Sequence, residues 1–127
     1  MKHISSLEKT IMQIIWDNGE KYPTLRDIGT SLTAIDGVER NISSVMTVIS
    51  RLADKAFLNP VKKFRQPTYF EPLVSEIEYK AYMTEQFLEG IHKGDISSLV
   101  FSLLQNNRCT PEDIEKMRSL LNAKAGE

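Results

Sequence analysis

Between Arg40 and Arg51 the residue types and their spacing suit one kind of chemistry. Residues 41 to 58 read NISSVMTVISRLADKAFL, in which short polar side chains interrupt a regular apolar stripe. Asn, Ser and Thr are indifferent helix formers, and a helix needed only for packing does better with Ala, Glu and Lys. On a helix of this register Arg40, Ser43, Thr47, Ser50, Arg51 and Asp54 point away from Ile42, Val45, Ile49, Leu52 and Ala56, with Val48 and Ala53 widening the apolar side. A face of short donors and acceptors can approach base edges, and flanking cations can pair with phosphates. Ser43, Ser44 and Thr47 supply hydroxyls, and the Thr47 methyl suits a thymine methyl. Arg40 and Asn41, at the helix start, are placed to reach bases or phosphate, where free backbone N–H groups add an anion site. Arg51, one turn beyond Thr47, suits a backbone phosphate.

Charge is distributed accordingly. The net charge of −1 argues against a general polyanion binder. Residues 1–71 carry 10 Lys+Arg against 8 Asp+Glu, and residues 72–127 carry 6 against 9. Residues 40–65 alone hold Arg40, Arg51, Lys55, Lys62, Lys63 and Arg65 against Asp54, a local balance of +5. Fields act over roughly 10 Å at moderate salt, so local concentration matters more than the total. These features together imply binding to double-stranded DNA.

Other chemistries lack their residues. His3, His92 and Cys109 are too far apart in sequence to suggest a zinc site. There is no Gly-rich phosphate loop, nucleophile motif or carboxylate pair with a supporting base. No enzyme, metal or cofactor is expected, and Trp16 is expected in the core. At 127 residues with 41% hydrophobic and 26% charged residues, the chain fits one domain, or one small domain plus an appended element. No apolar run approaches the roughly 20 residues that cross a bilayer, so no membrane insertion is expected. The N-terminus MKHISSLEKTIMQ lacks a signal-peptide pattern, and a single cysteine fits a reducing compartment, so the cytoplasm is the expected location.

The elements that must position the polar helix follow from caps and periodicity. Ser5-Ser6-Leu7-Glu8 is a capping-box pattern ahead of Leu7, Ile11, Ile14 and Ile15, and Asn18-Gly19 ends that helix. Thr24-Leu25-Arg26-Asp27 opens a second helix with Leu25, Ile28 and Leu32 inward. Asn41 caps a third, of about 15 residues, after a loop holding Asp36-Gly37. Val61–Arg65 and Thr68–Phe70 read as two short strands around a Gln66-Pro67 turn, which places Lys62, Lys63 and Arg65 on a hairpin along the duplex backbone. Three helices followed by a hairpin predict a winged helix-turn-helix.

Ser75-Glu76-Ile77-Glu78 starts a long helix carrying Ile77, Met83, Phe87, Leu88 and Ile91, and Gly94 interrupts it. A short helix with Leu99, Val100, Phe101, Leu103 and Leu104 follows, then Thr110-Pro111-Glu112-Asp113 opens a last helix with Ile114, Met117, Leu120 and Leu121. About 50 residues of helix without a sheet sit near the lower limit for an independent core. Phe87, Ile91, Leu99, Val100, Leu103, Leu104, Ile114, Met117, Leu120 and Leu121 are therefore expected to be buried against a second copy, giving a twofold homodimer. The mainly α chain divides into a winged-helix DNA-binding domain, 1–73, and a helical dimerisation domain, 74–127. Two other readings stay open: a winged-helix protein-interaction module with an acidic partner, and an effector-responsive regulator with a pocket between the domains.

From Leu7 to Leu121 the chain resembles the penicillinase and methicillin-resistance repressor family. Leu7-Glu8, Ile11-Met12 and Ile14-Ile15-Trp16 match its first helix. Val45-Met46-Thr47, Arg51-Leu52, Lys55 and Phe57-Leu58 match its recognition helix and exit, and Tyr69 with Pro72-Leu73-Val74-Ser75 matches the entry to the long helix. Gly94, Ser98-Leu99-Val100 and Leu103-Leu104 match the dimerisation helix, and Pro111-Glu112, Ile114-Glu115 and Leu120-Leu121 the last helix. The resemblance implies a dimeric repressor on a palindromic operator. In its beta-lactam branch it implies a membrane sensor-protease, or a protease downstream of it, and cleavage within the dimerisation helix, here around Phe101-Ser102-Leu103. The copper branch carries paired Cys-x-Cys motifs, whereas this chain has only Cys109 and ends Asn122-Ala123-Lys124-Ala125-Gly126-Glu127. The chain departs from the pattern at Arg40-Asn41, where many relatives have Trp-Ser, at Met46 for a common Lys or Arg, and at Ala56 for the usual Gly.

Overall fold

A computed structural model describes residues 1–127. Its elements are α1 (Ser6–Asp17), α2 (Leu25–Asp36), α3 (Ile42–Asp54), β1 (Leu58–Val61), β2 (Tyr69–Pro72), α4 (Glu76–His92), α5 (Ile96–Gln105) and α6 (Pro111–Ala125). Three helices and an antiparallel hairpin form the mainly helical winged helix-turn-helix expected from the sequence, and three more helices follow. The chain divides into two compact units, Met1–Tyr82 and Met83–Glu127. No helix is long and apolar enough to cross a membrane.

The caps set the helix starts. The Ser5 hydroxyl accepts from the Glu8 backbone N–H at 3.2 Å, and Thr24 with Asp27 forms a reciprocal capping box. Asn41 Oδ1 accepts from the Ser43 N–H at 3.0 Å, and Ser75 with Glu78 and Thr110 with Asp113 repeat the reciprocal pattern. Gly37, at φ 70°, turns the chain out of α2 in the left-handed conformation that glycine adopts freely.

The core of the first unit is built at helical spacing. Ile11, Met12 and Ile15 from α1, Ile28 and Leu32 from α2, and Val45, Ile49 and Leu52 from α3 meet Phe57, Leu58 and Phe70 around the hairpin. The first turns of α4 belong to this unit. Tyr79 is buried and packs on Phe57, 6.0 Å between ring centres, and on Trp16 at 5.6 Å. Trp16 is half-buried, and its Nε1–H donates to the Val74 carbonyl at 2.9 Å. By contrast Ile77, expected among the apolar residues of the long helix, is 81% exposed.

The third helix departs from expectation at both ends. It spans 13 residues, and only the central Val45, Ile49 and Leu52 of its apolar stripe are buried. Ile42 is half exposed in the first turn. Ala56 lies beyond the last turn, exposed, at φ 62°. A left-handed backbone costs an L-residue about 1–2 kcal/mol. Ala56→Gly is therefore expected to stabilise the first unit by about 1 kcal/mol, after the entropy glycine gains in the unfolded chain. Urea unfolding reads this as a higher midpoint at unchanged slope. A lower midpoint would show that the turn carries no strain.

The hairpin also lies elsewhere than the sequence suggested. Its strands are Leu58–Val61 and Tyr69–Pro72, paired Leu58↔Pro72, Asn59↔Glu71, Pro60↔Phe70 and Val61↔Tyr69, instead of 61–65 against 68–70. Lys62, Lys63 and Arg65 thus lie in the connecting loop and not on a strand. Two physical reasons fix this register. Leu58 and Phe70 both seek the core, at 1% and 2% exposure, so pairing starts directly after Phe57. Pro60 does not end the strand, because in a two-stranded sheet every strand is an edge, where proline is tolerated. On its other side β2 is tied to the start of α2, the Phe70 N–H donating to the Pro23 carbonyl at 3.0 Å.

Candidate nucleic-acid interface

The outward face of α3 carries the expected polar set. Ser43, Ser44, Thr47, Ser50 and Arg51 are exposed, opposite the buried Val45, Ile49 and Leu52. Their hydroxyls are oriented by the helix itself. Ser43 Oγ donates to Asn41 Oδ1 at 2.8 Å, and Thr47 Oγ1 donates to the Ser43 carbonyl at 3.0 Å. With its proton committed backwards, Thr47 presents acceptor lone pairs and a methyl group outward. That pair of features matches an exocyclic amino group beside a thymine methyl.

The start of α3 differs electrostatically from every other helix start in the chain. Acids occupy the first turn of α1, α2, α4 and α6, and Asp95 caps α5. The α3 cap is the neutral Asn41, with no acid in the first turn, so its positive dipole end is uncompensated. At α2 the opposite holds. Asp27 accepts from the Thr24 backbone and hydroxyl, which hold its carboxyl below the usual range.

Two of the six cations between residues 40 and 65 are already engaged by acids outside that stretch. Asp36 pairs with the Arg40 guanidinium across the α2–α3 turn. That hydrogen-bonded pair lowers the Asp36 carboxyl and raises Arg40. Lys55 Nζ lies 2.8 Å from Glu8, which is buried at 3% exposure. Burial pushes the Glu8 carboxyl up, but hydrogen bonds from Lys55 and Ser5 outweigh it and hold the group below its ordinary value. Glu8 thus engages Ser5 at the start of α1 and also anchors the C-terminal cap of α3 to α1. Of the cations counted in the sequence, Arg51, Lys62, Lys63 and Arg65 are exposed.

Sequence reading missed the groove beside α3. Thr24, Leu25, Arg26, Ile42, Met46, Pro60, Pro67, Thr68 and Phe70 line about 600 Å³ between the start of α2, α3 and the hairpin. It explains why Ile42 stays half exposed and Met46 only partly buried at the edge of the core, and it sets the exposed Arg26 beside α3. The available signal was the hairpin register, which decides that Pro60 and Thr68 face this space.

In the second unit every apolar residue expected at a dimer contact lacks full cover. Phe87, Ile91, Val100, Leu103, Leu104, Ile114, Leu120 and Leu121 are exposed, and Leu99 and Met117 half-buried. No residue from Met83 to Glu127 is buried. Phe101 and Ser102 lie exposed in the middle of α5.

Known proteins resemble the chain along nearly its full length. The methicillin resistance regulatory protein MecI of Mammaliicoccus sciuri is 30% identical over 123 residues, covering 95% of this chain and 94% of that protein. The penicillinase repressor of Staphylococcus aureus is 26% identical, covering 94% and 90%. The monomeric form of Bacillus licheniformis BlaI, solved in complex with the blaP half-operator, shares the fold with a TM-score of 0.50, at 23% identity over 61% of this chain and 89% of that one. With residues 4–123 matching the description of the penicillinase repressors, the chain belongs to that family.

Proposed function

We propose that the protein is a cytoplasmic, homodimeric transcriptional repressor that binds a palindromic operator without a cofactor, and that its regulon concerns beta-lactam resistance. The observation that carries this is the outward face of α3, where Ser43, Ser44, Thr47 and Arg51 are exposed on a helix whose other side is locked in the core. Family membership supports it. In this reading α3 lies in the major groove. Arg40 and Asn41 reach bases or phosphate at its start, Arg51 reaches a phosphate one turn beyond Thr47, and Lys62, Lys63 and Arg65 meet the duplex from the wing.

The second unit supplies the partner half-site. A unit in which no residue is buried has no core of its own, so a second copy is the economical cover for α5 and the apolar residues of α4 and α6. Reading falls to the first unit, which runs past the expected 73/74 boundary to take in the first turns of α4, and dimerisation to the helices beyond it. Induction is by cleavage near Phe101-Ser102-Leu103, driven by a membrane sensor-protease or a protease downstream of it. Cutting there removes the helix that holds the two reading heads together.

Selection of bound sequences from random duplexes tests the reading. A site with twofold symmetry is expected, with log K falling by about 0.9 per phosphate neutralised as log salt rises. Thr47→Ala is expected to change preference at one base position by about 1 kcal/mol, while Lys63→Ala weakens all sequences alike and lowers the salt slope by about 1. Unchanged affinity and preference in both variants would remove α3 as the reading element.

A further inference from the structure

The loop between the two strands displays a side chain that backbone contact does not require. Phe64 is 87% exposed, more than any other large apolar residue of the chain. Cations surround it in sequence, yet each is drawn toward the loop itself. Lys62 Nζ donates to the Gln66 carbonyl at 2.9 Å across the loop. The Lys63 ammonium lies over the Tyr69 ring, 5.8 Å from its centre. Arg65 adopts φ 61°, and its guanidinium stands 5.2 Å from the centre of the Phe64 ring. What the loop offers outward is an aromatic ring backed by a planar cation. A solitary exposed phenylalanine needs no explanation. One joined to three cations within four residues has the chemistry to enter a polyanion that hides apolar surface between its bases.

We propose that Phe64, with Arg65 against its ring, enters the minor groove beside each half-site and selects A·T-rich, easily unstacked steps there. The proposal rests on α3 reading the major groove. The reach fits. Six residues carry the chain from Leu58 to Phe64, at most about 20 Å when extended. Half a turn of duplex, from a major groove to the neighbouring minor groove, is about 17 Å. Narrow A·T grooves concentrate negative potential that draws arginine, and pyrimidine–purine steps open at least cost. Apolar side chains slip between such steps and partly unstack them. Lys62 and Lys63 then lie behind the tip, placed for the phosphates that flank the groove.

The full-length protein is titrated with duplexes that share one selected half-site pair and differ only in the flanking steps, TA or GC, with 2-aminopurine at the flank. The wild type is expected to prefer the TA flank by about tenfold and to raise the 2-aminopurine fluorescence as the base unstacks. Phe64→Ala is expected to bind both flanks alike with no rise, while its preference within the half-site is unchanged. Phe64→Leu is expected to keep most of the flank preference. Phe64 lies outside the core, so circular dichroism should match the wild type for both variants. A flank preference that survives Phe64→Ala, or that the wild type lacks, overturns the proposal and leaves α3 in place. Failure of the wild type to discriminate within the half-site removes the underlying reading instead. Phe64-dependent binding to phosphatidylglycerol vesicles, without flank preference, would assign the tip to a membrane surface and overturn it as well.

Discussion

Val100→Glu combined with Leu104→Glu is expected to abolish dimerisation at micromolar concentration and to weaken binding to the full operator by about 10²–10⁴-fold. The two positions are one turn apart on α5, 37% and 48% exposed, and in a dimer they would face apolar surface of the second copy. Charge there costs little in the single chain, because both side chains already meet water. In a dimer each carboxylate would be desolvated without a partner, which no packing gain offsets. The fold of the first unit contains neither residue, so affinity for an isolated half-site should match the wild type. What disappears is the intramolecular second contact that linkage of two reading heads provides. Sedimentation and titration against whole and half operators read both effects together. A variant that stays dimeric, or that stays monomeric yet binds the whole operator as tightly as the wild type, would end the account of the second unit as the dimer clasp. Cleavage in α5 between Phe101 and Leu103 should reproduce the same loss, since it breaks the same helix.

The sequence disclosed those parts of the molecule that follow from local rules. Side-chain caps act within three or four residues, so Ser5, Thr24, Asn41, Ser75 and Thr110 announced their helices. The outward polar face of α3 was equally legible, because helical periodicity separates Thr47 from Val45 whatever surrounds them. The parts decided at long range were not. Pro60 lay outside the expected strand 61–65, and only pairing with Phe70, ten residues on, makes it an edge-strand residue. Lys55 looked like one more cation for DNA, and only the distant Glu8 shows that its charge is engaged in holding α3 to α1. Tyr79 lacked any signal on the polar first turns of α4, because its burial is set by Phe57 and Trp16. Phe64 was visible as a residue but not as a tip, since the first strand was read as starting three residues too late, which placed Phe64 within it.

Phe57→Ala is expected to be the most damaging single truncation in the first unit, costing about 3–5 kcal/mol. The residue is fully buried at the point where α3, the hairpin and α4 converge. Its N–H donates to the Leu52 carbonyl at 3.0 Å, fixing the exit from α3. Its own carbonyl accepts from the Leu73 N–H at 2.8 Å, which ties down the end of β2. Its ring meets Tyr79 edge-on at 6.0 Å. The backbone bonds survive truncation, so the loss comes from a cavity among Leu52, Leu58 and Tyr79 that the short hairpin cannot collapse to fill. Against a total stability of about 5–15 kcal/mol for a domain, that is a large fraction, and thermal unfolding of this unit should move down by about 12–40 °C. The α3 face stays as it was in molecules that remain folded, so half-site preference should persist below the new transition and vanish above it. Phe57→Leu, which refills most of the volume, should cost less than about 1.5 kcal/mol. If Phe57→Ala unfolds within about 1 kcal/mol of the wild type, the junction of α3, wing and α4 is not where this unit keeps its stability, and the rigid presentation of α3 to DNA loses its basis.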